Sequence, residues 1–490
     1  MVCWKQKKRL TYISSCTEGD FCELRIDGVL LRSLRVGLPP YHRLCFTGVL
    51  GRREIRCSYV RPFKKFAPAF GQWHHACGAQ VAPPWPKANH RGGRRLSITA
   101  LVNTVAVGTL DGQQPPDRSP LRFHKRLPGY EETPLVSAPG LADALGVGKV
   151  LVKDESSRLG LPAFKVLGAS WAVYRAMEER LPEGALEDWE TVEELKEKLE
   201  PLRPLALVAA TDGNHGRAIA RVARLLGLGA KIFVPEGMAA ARREAISGEG
   251  AEVIVVEGTY DEAVERSAAE EGESGLVVSD TSWPSYERIP SWVIEGYSTM
   301  LWEIDDELER RKEAPPDLVV VQIGVGAFAA AVTRHFRGPH TSRRPKLLGV
   351  EPADAACLLR SVEDGRIVSV PGPHHSIMAG LNCGRPSPVA WPIVSRGIDV
   401  LVAIDDGPAR EAVRLMAASG VVSGETGAAG LGGLLWLLRG ESSGDQREQQ
   451  EEARRALGVN RESRVLLFNC EGATDPDAYR RLVGGAHASS

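Results

Sequence analysis

Residues 150–174 read VLVKDESSRLGLPAFKVLGASWAVY, and the hydrophobic period changes half-way through. Val150–Lys153 is a short apolar run that ends at Asp154 and Glu155, the pattern of a buried strand. Leu167, Trp171 and Tyr174 then recur at i, i+4 and i+7, so a helix begins just after Lys165 and ends near Leu181-Pro182. Lys165 therefore stands at the mouth of a helix, behind a turn rich in Ser, Gly and Pro. An amine there can form a Schiff base with an aldehyde cofactor. A lysine at a loop-to-helix junction is far more often a solvated charge, so its neighbours must decide.

The strand-turn-helix alternation continues outward. Leu205–Ala210 reads as a strand, Thr211–Gly216 as a turn, and Ile219, Val222 and Leu226 as the face of a helix closed by Gly227. Ala230–Val234, Glu252–Glu257 and Leu276–Ser279 read as strands, followed by Leu318–Ile323, Leu347–Val350, Val400–Ile404 and Arg464–Asn469. Short apolar runs spaced by amphipathic segments mean βαβ units around a mostly parallel sheet. From about Pro116 onward the chain is thus expected to be α/β. Thr191 with Glu194 signals a capped surface helix over 192–200. Residues 440–452 read as a polar loop or the start of an exposed helix, and 484–490 as a frayed tail.

Four motifs fall at strand ends, where open α/β sheets bind ligands. In TDGNHGR, 211–217, Gly213 and Gly216 let backbone approach a ligand, Asn214 offers an amide to a phenolic oxygen, and Asp212 offers a carboxylate for proton transfer. A plain helix cap would explain the Asp or the Asn alone, and His215 reads as a supporting or capping residue. Gly324-Val325-Gly326-Ala327 lacks a following Lys-Ser/Thr pair, which excludes a Walker A loop. Its backbone N–H groups suit a compact phosphate, although a tight strand-to-helix turn also needs glycine for steric reasons alone. Asp280, within SDTSW at 279–283, is a second carboxylate. Cys470 follows the last strand and offers a neutral thiol to a ring nitrogen, or is simply a small buried residue.

Composition bounds the rest. At 490 residues and 53.1 kDa the chain has room for two or three domains and a large core. A formal net charge of −1 removes any whole-chain case for nucleic acid or an anionic membrane as partner. Residues 1–95, however, hold 18 Lys and Arg against five acids, and six of the nine cysteines lie in the first 77 residues with no CxxC pair. Residues 1–115 are expected to be a basic, Cys-containing extension, disordered or non-native; a basic arm touching nucleic acid or a partner is the alternative. No apolar h-region follows Lys5–Arg9, no stretch reaches membrane-spanning length, and the expected compartment is the cytoplasm.

The ordered set SSRLGLPAFKVLG, ATDGNHGR, SDTSW with EGYSTM at 295–300, GVGAFA, IMAGLNCG at 377–384, VSGETGA at 422–428 and EGATDP at 471–476 resembles the diaminopropionate ammonia-lyases. These are pyridoxal 5'-phosphate enzymes of the tryptophan synthase β-like kind, fold type II. The resemblance covers roughly residues 118–485. It implies two subdomains, each a mostly parallel sheet flanked by helices: a large one of about 116–170 plus 300–490 and a small one of about 171–299. It also implies Lys165 as the Schiff-base lysine, Phe164 beside the pyridine ring, Asn214 at the phenolic oxygen, Gly324, Val325, Gly326 and Ala327 around the phosphate, and Cys470 at the ring nitrogen. Asp212 and Asp280 match the bases toward the two substrate enantiomers. No metal is expected, the partner is a small amino acid, and a homodimer is the expected assembly.

The chain departs from the family's pattern at Leu159, where an aromatic residue is usual, at Phe328 for methionine, at Ala330 for glycine and at Cys470 for a hydroxyl side chain. The implied reaction is α,β-elimination of 2,3-diaminopropionate to pyruvate and two ammonia. Its rivals are a serine or threonine dehydratase, which usually carries Ser-Phe where this chain has Ala163-Phe164, and an inactive cofactor-binding regulatory protein. Cys357 and Cys383 lie in the matching stretch, either bridged or as two thiols.

Overall fold

The computed structural model describes residues 98–110, 117–211, 213–339, 341, 343–439 and 444–484, with the backbone of four strands between Phe21 and Cys57. The chain divides into a unit of residues 1–81 and a unit of residues 82–490. In the first, β1 (Phe21–Ile26) pairs antiparallel with β2 (Val29–Leu34), and β3 (Phe46–Leu50) with β4 (Arg53–Cys57). The side chains of the six early cysteines lie outside the described residues.

The second unit contains two sheets. The larger is built from β5 (Thr99–Val102), β6 (Leu135–Ser137), β7 (Lys149–Asp154), β12 (Leu318–Gln322), β13 (Lys346–Pro352), β14 (Val400–Ile404) and β15 (Arg464–Asn469), in the order β5-β14-β13-β12-β15-β7-β6. The smaller is built from β8 (Ala206–Ala210), β9 (Gly229–Pro235), β10 (Glu252–Val256) and β11 (Gly275–Val277), in the order β10-β9-β8-β11, all parallel. Every residue of β12 and β14 is buried, which explains their unbroken apolar sequence: helices cover both faces. The smaller sheet falls inside residues 171–299.

Strand order fixes where a ligand can enter. In the larger sheet the chain passes from β12 to β13 and β14 on one side, while β15 lies on the other side of β12. In the smaller sheet it passes from β8 to β9 and β10, and then returns to place β11 on the other side of β8. Each reversal opens a crevice at the carboxyl ends of two strands.

In this second unit two strands were not expected from sequence, and both are antiparallel edges: β5 on β14 and β6 on β7. Runs of three or four residues are too short to show a period. Because β5 belongs to this sheet, the sheet begins upstream of the boundary expected at residue 116. Asn103 reinforces that edge by donating to the carbonyls of Ser395 and Ile398, each at 2.8 Å.

The helix Lys165–Arg180 crosses the helix Arg288–Gly296 closely. A Cβ on Gly168 would lie 2.5 Å from the Tyr297 ring, and one on Gly296 would lie 2.5 Å from the Leu167 carbonyl. The polar segment after residue 440 resolves as the helix Asp445–Leu457.

Candidate active site

The loops after β7, β8, β11, β12 and β15 meet around one cleft. After β7 the chain turns through Leu159 (φ 51°) and Gly160 (φ 72°) and enters its helix at Lys165. Beneath this turn lies a set of charges removed from water. Arg158 donates to Glu155 and Glu303 at 2.6 Å each, and Lys153 Nζ reaches Glu303 at 2.6 Å and the Thr133 carbonyl at 2.7 Å. Two cations meet two carboxylates, and Tyr130 adds a hydrogen bond to Glu303 at 2.7 Å, so the buried set is balanced and well bonded. This anchors the turn that aims Lys165.

Lys165 Nζ lies 2.7 Å from Asp280 Oδ2, which follows β11. Burial would push Lys165 down, but the Asp280 carboxylate more than reverses this and holds it above the ordinary lysine range. Burial would likewise raise Asp280, yet the Lys165 charge brings it down to about 2. Phe164 packs against Tyr297 and Phe328 with ring centroids 4.7 Å from each. Phe328, where the family pattern has methionine, thus completes an aromatic wall.

After β8, Thr211 Oγ1 accepts from the N–H groups of Gly213 and Gly216 at 2.9 and 3.0 Å, which folds the turn back on itself. Asn214 and His215 then open the helix Asn214–Leu226, and both line the cleft. His215 Nε2 meets the Val278 carbonyl at 2.8 Å, while its buried Nδ1 has no hydrogen-bond partner among the described residues. Burial holds the ring below the ordinary histidine range, so it is neutral and Nδ1 is a lone pair. Asp212 lies outside the described residues.

After β12, Gly326 adopts φ 97°, a conformation that favours glycine, and the helix Ala327–Phe336 begins behind it. Ser387 ties this turn to the Asp280 loop: its N–H donates to the Val325 carbonyl at 2.8 Å, and its Oγ accepts from the Ser282 N–H at 3.1 Å. After β15, burial and the neighbouring Glu471 push the Cys470 thiol above its ordinary range, so it is neutral. Cys357 and Cys383 are not joined in a disulfide.

The donor set suits pyridoxal phosphate. It offers an amine at a helix mouth, a glycine-built turn ahead of a helix N-terminus, a neutral thiol, an aromatic wall and a buried neutral imidazole. Sequence reasoning assigned no role to the wall residues Arg242, Tyr260, Gln322, Thr426 and Glu471. Thr426 and Glu471 stand in the strings VSGETGA and EGATDP, which were the signal available for them. Arg242, Tyr260 and Gln322 carried none. Among the described residues no three His, Cys, Asp or Glu side chains cluster as a metal site, and no helix is long and apolar enough to cross a membrane.

Residues 126–447 match the family described as pyridoxal-phosphate dependent enzyme. The chain belongs to that family. Within it, the chain is 36% identical over 381 residues to the diaminopropionate ammonia-lyase of Salmonella typhimurium, covering 74% of this chain and 90% of that one. A crystal structure of diaminopropionate ammonia lyase from Escherichia coli in complex with D-serine superposes with a TM-score of 0.71 at 33% identity, covering 81% of this chain and all of that one. The L-threonine ammonia-lyase of Geobacter sulfurreducens is more distant, at 26% identity over 58% of this chain and 61% of that protein. The family's α/β architecture and its cofactor are those expected from the motifs.

Proposed function

We propose that this family member eliminates both amino groups of 2,3-diaminopropionate, consuming one water and releasing pyruvate and two ammonia. The observation that carries the proposal is the Lys165–Asp280 contact of 2.7 Å in a cleft formed where both sheets reverse their strand order. Pyridoxal phosphate, when bound, withdraws electrons from the substrate's Cα, so that its proton can be removed and the β-substituent can leave.

Lys165 Nζ would hold the cofactor, the backbone N–H groups of Gly324–Ala327 would hold its phosphate, Asn214 would donate to its ring oxygen, and the neutral Cys470 thiol would serve its ring nitrogen. Asp280 is an anion at neutral pH and takes a proton at Cα; Asp212, by its place in the TDGNHGR string, is assigned the base toward the other enantiomer. We further place the enzyme in the cytoplasm as a homodimer, which light scattering of the purified protein tests.

Two measurements test the chemistry. Pyruvate release is compared for D- and L-2,3-diaminopropionate, serine and threonine; preference for a hydroxy amino acid would favour a dehydratase instead. The same assay on Asp212→Asn and Asp280→Asn separates the two bases. If both substitutions slow both enantiomers equally, the two-base assignment fails.

A further inference from the structure

Glu471 is buried at 2% exposure on the cleft wall, and no element of the reaction outlined above uses it. Its backbone pairs with Ala163, two residues before Lys165, and Gly472 N–H donates to the Pro162 carbonyl at 2.9 Å. Its side chain points the other way along the site. Oε2 accepts from Asn214 Nδ2 at 2.5 Å, and Oε1 accepts from the Thr426 backbone N–H at 3.2 Å. Among the described residues the carboxylate makes no ion pair. A buried carboxylate bonded only to neutral donors is costly unless its geometry serves something else.

Its two acceptors dictate the orientation of Asn214. A carboxylate accepts at both oxygens and donates at neither, so the Asn214 amide must present nitrogen to Glu471. One N–H of that nitrogen is consumed by Glu471, and the other is left for the cleft. With the amide reversed, Oδ1 would face both the carboxylate and any phenolic oxygen in the cleft, which repels at each contact. Glu471 is itself pinned by Thr426 at the start of the helix Glu425–Arg439 and by its strand pairing to the Lys165 loop.

We propose that Glu471 is a positioning residue for the cofactor. It locks Asn214 in the rotamer and amide orientation that donates to the ring oxygen, and it ties that donor from the small sheet to the same segment that carries Lys165. This rests on pyridoxal phosphate being held as described above, and not on the identity of the amino-acid substrate.

A glutamine at 471 has one acceptor for two donors: if Oε1 keeps the Thr426 N–H, Nε2 faces Asn214 and that amide turns over, and if Oε1 keeps Asn214, the Thr426 N–H loses its acceptor and residue 471 is no longer pinned. The test is a double-mutant cycle read by binding and spectrum. Apoenzyme is titrated with pyridoxal phosphate, and the visible band of the loaded protein is followed against pH, for wild type, Glu471→Gln, Asn214→Ala and the double variant. The expected result is about tenfold weaker binding and a shifted band in Glu471→Gln, with less than about twofold further change when the same substitution is made in Asn214→Ala. Equal weakening in both backgrounds means that Glu471 acts directly and overturns the proposal. So does a Glu471→Gln protein whose affinity, band and pH profile match wild type. Should Glu471→Gln fail to fold, Glu471→Asp, which keeps both acceptors on a shorter arm, is run through the same cycle and its coupling with Asn214→Ala decides. A wild-type protein without a visible band would refute the cofactor assignment itself, an outcome distinct from any of these.

Discussion

The 2.7 Å contact between Lys165 and Asp280 sets the protonation of both groups, because each offsets the cost of burying the other. Asp280→Asn leaves burial as the dominant influence on Lys165, which then gives up its proton at lower pH. The variant is expected to take up pyridoxal phosphate at a pH where wild-type apoenzyme is slow, seen by following the visible band across a pH series. Elimination is nevertheless expected to fall by about a hundredfold or more, since a general base is lost. Lys165→Ala removes the band altogether. That Phe164, Lys165, Asn214, Asp280, the Gly324–Ala327 turn and Cys470 line one cleft was legible in the sequence, because each belongs to a short string that follows a strand. The role of Glu471 was not, since it depends on Asn214, which is 257 positions away in the chain.

At the scale of elements, the turn before Lys165 is held by the buried set of Lys153, Glu155, Arg158 and Glu303. Arg158→Met leaves two buried carboxylates facing one lysine and is expected to cost about 3–5 kcal/mol, measured as a lower denaturation midpoint in denaturant. β13 carries another buried acid. Glu351 accepts from the Leu358 and Leu359 N–H groups at 2.8 Å each, yet burial pushes it up to about 8. The folded state therefore holds its proton more tightly than the unfolded chain does. Stability from this group is complete below its ordinary value of 4.5 and is lost as pH rises through about 8. In Glu351→Gln, which does not titrate, the fall in melting temperature between mildly acidic and alkaline buffers is expected to shrink. An unchanged fall would show that another group causes it.

Over the whole molecule, the structural boundary lies upstream of the compositional one. β5 forms an edge of the larger sheet, and Thr99 and Asn103 bond to Gln449, Ser395 and Ile398. A chain starting at residue 98 is expected to keep its cofactor band and its melting temperature within a few degrees. One starting at residue 116 loses an edge strand and melts lower, by several degrees for about 1–2 kcal/mol. Equal melting of the two truncations would show that β5 contributes no stability.

Local pattern alone sufficed for nine strands, for the helix that begins at Lys165 and for the motifs at the strand ends. Periodicity and turn chemistry are written within a few residues of one another. The two short edge strands left no such trace. Only the folded chain decides that β12 neighbours β15 and β8 neighbours β11, because strand order comes from packing between distant segments. Those two reversals bring five separate loops to one cleft around Lys165. They also set a carboxylate at 471 against an amide at 214, a juxtaposition that no local stretch of sequence encodes.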